Sequence, residues 1–107
     1  MLGWLATLQG KRFRRDLHTV LSTLQKNGGS ATTLELWDAF SPTAQAMHRN
    51  YFIRTKSLGW VHSFLDDLEE LNYITSEYKP GTKARGYYRS RLIHITPYGS
   101  YYLERFA

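Results

Sequence analysis

Apolar residues recur at steps of three and four through the first two thirds of the chain, and the step shortens to two just after Asn72. From Arg12 to Asn27, Phe13, Leu17, Val20, Leu21 and Leu24 form one helical stripe, and Gly28-Gly29 supplies the stop. Ser30 to Thr33 is a short polar, partly β-branched link with room for a minimal strand. Thr32 or Thr33 then caps a helix running through Phe40, with Leu36, Trp37 and Phe40 inward. Ser41-Pro42 restarts a helix through about Phe52, with Ala44, Met47 and Tyr51 on its inner face. A further start at Thr55 or Ser57 leads into Leu58, Val61, Leu65, Leu68 and Leu71, again a single stripe. Asn72 tolerates the left-handed conformation that ends helices.

Tyr73 to Tyr78 alternates and is rich in strand formers, Lys79 to Gly86 reads as a turn with Pro80-Gly81 at its tip, and Tyr87 to Ile95 returns as a second strand. Together they predict a β-hairpin. Thr96-Pro97 caps a last helix, Pro97 to Phe106, with Tyr98, Tyr102 and Phe106 spaced at four. Residues 1–10 carry Leu2, Trp4, Leu5 and Leu8 and read as a short helix or an arm ahead of one domain at 11–107. The expected class is α+β, mostly helical: a helical bundle, then a basic two-stranded wing, then a C-terminal helix. That order is the winged helix-turn-helix arrangement.

Two segments carry a family resemblance. Val61, Leu65, Leu68, Glu69, Tyr73 and Ile74 follow the apolar and acidic spacing of a recognition-helix segment, with Asn72 where glycine is usual. Leu92 to Phe106, with Thr96 and Gly99 at the threonine-x-x-glycine positions, looks like a second wing strand and the helix after it. On these residues the chain resembles winged helix-turn-helix regulators, similar to the PadR and MarR groups, from about Arg12 to Phe106. The stretch between Phe40 and Ser57 departs from that pattern, being longer than the usual tight turn. Either a helix is inserted there or the Ser41–Phe52 helix is the true second helix. The resemblance implies duplex DNA as partner.

Charge changes the picture more than composition does. The chain of 107 residues carries a net charge of +5, and a basic balance points to nucleic acid or an anionic membrane surface. Its distribution is polarised. Lys11, Arg12, Arg14 and Arg15 cluster at the start of the first helix, where cations oppose the helix dipole and an external anion would relieve them. Lys79, Lys83, Arg85, Arg89 and Arg91 have no acid among them, and a ribbon so charged can reach phosphates or a minor groove. A charged edge that blocks strand aggregation is the plainer alternative. On the helix from Ser57, the positions taken as opposite the leucine stripe are Lys56, Ser57, Gly59, Trp60, His62 and Ser63, and these are expected to face base edges.

Other chemistry finds little support. His18, His48, His62 and His94 show no metal-ligand spacing, and no Walker loop, dinucleotide fingerprint or nucleophile elbow occurs. Neither a cofactor nor a metal is expected, and the protein is not expected to be an enzyme. No apolar run approaches the roughly 20 residues that span a bilayer, no membrane partner is expected, and Met1 to Gly10 lacks the basic region of a signal peptide. With no cysteine, a cytoplasmic setting is expected, in the host cytoplasm if the source is viral. Trp4, Leu5, Tyr98, Tyr102 and Phe106 offer apolar surface that a small core leaves over, and a homodimer is expected on it. The expected function is sequence-specific binding of double-stranded DNA by a prokaryotic or viral transcriptional regulator. The alternatives are a DNA segregation or replication protein of a plasmid or virus, and a winged helix that binds protein instead of DNA.

Overall fold

A computed structural model describes residues 10–43, 45, 58–78 and 91–106. Among them the order is α1 (Lys11–Lys26), β1 (Ser30–Thr32), α2 (Thr33–Ala39), α3 (Leu58–Glu70), β2 (Ile74–Tyr78), β3 (Arg91–Ile95) and α4 (Pro97–Phe106). The protein is α+β and mostly helical, with a small antiparallel sheet in the order β1-β3-β2. The arm at 1–9, the helix expected beyond Gln45, and the turn and first half of the return strand at 79–90 lie outside the described residues.

Local chemistry sets the boundaries. α1 ends in a Schellman pattern: Gly29 N–H donates to Leu24 O at 2.7 Å and Gly28 N–H to Gln25 O at 3.3 Å. The turn needs the left-handed φ of +79° that Gly28 adopts without a Cβ clash. α3 closes the same way through Asn72 at φ 69°, with Tyr73 N–H donating to Leu68 O and Asn72 N–H to Glu69 O. Asparagine therefore does in this chain what glycine does elsewhere. α2 is so short that its cap matters. Thr32 Oγ1 accepts from Glu35 N–H at 3.2 Å while Glu35 Oε1 accepts from Thr32 N–H at 3.0 Å, a complete capping box.

The core forms where the three helical stripes meet one face of the sheet. α1 contributes Leu17, Val20, Leu21 and Leu24, α2 Leu36 and Trp37, α3 Val61, Phe64, Leu65 and Leu68, and the strands Ala31, Ile74 and Ile93. α1 packs on α2, α4 and β3, and α3 packs on α2 and β2. The strands alternate as period two demands. Ala31, Ile74, Arg91 and Ile93 turn inward, whereas Ser30, Thr75, Glu77 and His94 lie on the opposite face. There His94 links the three strands, its Nδ1 2.5 Å from Ser30 Oγ on β1 and its Nε2 bonded to Glu77 on β2. His94 is the rivet of that face.

α4 is seated by Thr96. Its hydroxyl accepts from Gly99 N–H at 3.0 Å and donates to the turn after α3, with Asn72 O at 2.7 Å and Tyr73 O at 2.9 Å. The threonine-x-x-glycine spacing thus has a physical reason: threonine caps the helix, and glycine lets it lie against the Tyr73 backbone. Among the described residues no helix is long and apolar enough to cross a membrane.

Candidate nucleic-acid interface

The start of α1 collects four of the cations expected to meet an anion. Lys11, Arg12, Arg14 and Arg15 are all exposed, and the first turn holds no acid. At about 100° per residue, Lys11, Arg14, Arg15 and the exposed His18 share an arc of roughly 100°. Gly10 caps the helix without a side-chain bond, so the N–H groups there add to the positive end. Arg15 leans on Asp16 at 3.4 Å, a loose pair whose acid is buried. Arg14 lines a cleft of about 340 Å³ with Phe13, Tyr73, Tyr102 and Phe106.

α3 corrects two expectations. His62, expected at the front facing bases, is 5% exposed and turned toward the sheet. Its Nδ1 accepts from Arg91 Nη1 at 3.0 Å, which leaves the ring neutral with its proton on Nε2. Trp60, also expected to face bases, is half-buried instead: it stacks on Phe64 at 5.3 Å and meets Phe40 edge-on at 5.6 Å. Of the α3 residues expected to read bases, Ser63 keeps an outward position among the described residues, and Asp66 and Glu70 follow it on the same exposed face. Lys56 and Ser57 lie outside the described residues.

The cations expected on a wing divide similarly. β2 and β3 pair antiparallel up to Tyr78 opposite Arg91, so residues 79–90 connect neighbouring strands. Lys79, Lys83, Arg85 and Arg89 belong to that connection and lie outside the described residues. Arg91, expected to reach phosphate, is 1% exposed and points inward. Its guanidinium donates to Ser76 Oγ at 2.9 Å from Nε and to His62 from Nη1, and Nη2 lies 2.9 Å from Asp66 Oδ1 and 3.1 Å from Glu69 Oε1. The Tyr78 ring sits 5.6 Å from its Cζ. A cation so enclosed has its donors committed to protein. Neither the acid–arginine hub nor its link to His62 was expected from the sequence. The signal was there in parity, because Arg91 shares its strand face with buried Ile93.

Burial, with help from the Arg91 charge, lowers the His62 pKa to about 4, against a weaker opposing pull from Asp66. The fold therefore favours the neutral ring. As pH falls below 6.5 the unfolded chain takes up a proton that the folded chain refuses until about pH 4. Stability is expected to be fully present above pH 6.5 and to decline toward pH 4, by about 1–2 kcal/mol between pH 7.5 and 5 after allowing for solvent screening. Urea midpoints at the two pH values, compared between wild type and His62→Gln, measure this. Equal pH slopes in the two proteins would remove His62 as the cause.

Comparison with protein-family models, curated proteins and solved structures finds no match. The residues carry the case.

The surface expected to dimerise is partly open. On α4, Tyr98 is 51% and Phe106 65% exposed, while Tyr102 is half-buried against Tyr73. Tyr73 and Tyr98 stack at 5.1 Å, and Tyr102 and Phe106 follow at 5.0 Å. Trp4 and Leu5 lie outside the described residues.

Proposed function

We propose that this protein is a winged helix that binds double-stranded DNA as a homodimer and serves as a transcriptional regulator. One observation carries the reading. An antiparallel pair follows α3 directly, and the connection between its strands holds Lys79, Lys83, Arg85 and Arg89 with no acid. The exposed cations of α1 offer a second contact for phosphate. Phosphate contact through these groups supplies affinity without sequence information. Sequence reading falls to the front of α3, where Ser63 faces out and Lys56 and Ser57 precede the helix.

Alanine at Lys83 or Arg85 is expected to weaken binding to operator and scrambled duplexes alike and to flatten the salt slope by about one unit per lost contact. Ser63→Ala is expected to cost about 1–3 kcal/mol on the selected site and little on random DNA. Competition titrations measure both. A wing that alters sequence preference while Ser63 does nothing would make the hairpin the reader. For the dimer, sedimentation at micromolar concentration should show two copies, and Phe106→Glu should shift the population to monomer. A wild type that sediments as a monomer while binding a palindrome tightly would contradict the dimer.

A second reading has its own observation. The exposed face of α3 beyond Ser63 carries Asp66 and Glu70, with Asp67 beside them, and carboxylates there suit a protein partner better than phosphate. Burial, then Glu70 and Asp66, raise the Asp67 pKa. A protein-binding module would show no salt-dependent DNA affinity at all. Segregation or replication, as a use of the same DNA contact, separates from regulation by footprint: a growing protected region instead of one bounded operator.

A further inference from the structure

We infer that Arg91 is a positioning residue that makes α3 tolerable to phosphate, by pairing its buried charge with two of the helix's four carboxylates. The inference rests on the DNA-binding reading. α3 carries Asp66, Asp67, Glu69 and Glu70 with no lysine or arginine of its own. An unscreened acidic helix would be repelled from a groove lined by phosphates. Arg91 supplies the missing cation from β3. Its Nη2 bridges Asp66 at 2.9 Å and Glu69 at 3.1 Å, two positions three residues apart and so neighbours on the helix surface.

The charge is placed to act locally. Arg91 is buried, so little of its field is spent on water, yet Asp66 itself is 66% exposed. The remaining donors anchor the guanidinium on both sides, to His62 on α3 and to Ser76 on β2. The residue therefore contributes to DNA affinity without touching DNA. It does so by offsetting the charge of two carboxylates and by tying the stem of the hairpin, where Tyr78 pairs with Arg91, to α3.

The experiment measures binding of a random-sequence duplex at 50 mM salt by fluorescence anisotropy, with folding checked by circular dichroism. Arg91→Met fills the site with an apolar chain of similar length and leaves both acids without the cation that offsets them. It is expected to weaken binding about ten-fold. Adding Asp66→Asn and Glu69→Gln to Arg91→Met is expected to restore affinity to within about three-fold of wild type, a rescue that a merely structural arginine would not give. Unchanged affinity in Arg91→Met, or a loss that the two added amides fail to rescue, would overturn the inference. If Arg91→Met does not fold, Asp66→Asn and Glu70→Gln are compared in the wild-type background. The masked Asp66 should change affinity less than Glu70, and equal gains would overturn the inference. Wild-type protein that binds no duplex at 50 mM salt would instead remove the DNA-binding reading itself, and this inference with it.

Discussion

Gly99→Ala is expected to destabilise the protein by about 3 kcal/mol and to lower its Tm by roughly 10–20 °C. A Cβ on Gly99 would stand 2.4 Å from the carbonyl oxygen of Tyr73, 3.0 Å from Ile95 Cγ1 and 3.2 Å from Leu21 Cδ2. The first of these is backbone and cannot step aside by a rotamer change. It belongs to the turn that Asn72 closes, and the same region accepts the Thr96 hydroxyl. Relief therefore means lifting the start of α4, which breaks the Thr96 bridge and opens the Leu21 side of the core. Against a total stability of about 5–15 kcal/mol for a domain of this kind, that loss is severe. Thermal and urea unfolding of Gly99→Ala beside Tyr101→Ala, an exposed position on the same helix, measures it. A Gly99→Ala protein within 1 kcal/mol of wild type would mean that α4 does not sit on the α3 turn as described.

Much of the fold was legible because its local signals agree with its tertiary structure. The Gly28-Gly29 stop, the Thr32 cap, the Asn72 turn and the Thr96-Pro97 start lie where the chain changes direction. The period-three-and-four stripes of α1 and α3 are its core contacts. The short strand at Ser30–Thr32 also follows from its polar, partly β-branched link.

The site was less legible. The leucines of α3 define a stripe, but the helix buries a wider arc, about 160° from Phe64 round to His62 at 3.6 residues per turn. The sheet covers one flank and the aromatic residues Phe40 and Phe13 cover the other, drawing in His62 and Trp60. A stripe read from one helix cannot include partners supplied by another element. Charge counted along the chain puts Arg91 with the cations at 79–89, whereas a strand sorts its residues by alternate faces. Four carboxylates within five residues of α3, at 66, 67, 69 and 70, were a hint that a cation from another element answers them.

The cations proposed for the wing and those of the α1 cluster would together neutralise about six to eight phosphates per protomer pair. Each neutralised phosphate releases condensed counterion, so the logarithm of affinity falls with the logarithm of salt at about 0.9 per contact. Six contacts give roughly a thousand-fold loss between 50 and 200 mM salt, the largest effect expected of this protein. Surface ion pairs within the fold contribute too little to mimic it. The direct test is a titration of random and selected duplex DNA with the full chain at 50, 100 and 200 mM salt. Tight binding at the lowest salt that weakens about a thousand-fold at the highest is the result expected. Affinity independent of salt, or none at 50 mM, would contradict the assignment of this protein to DNA.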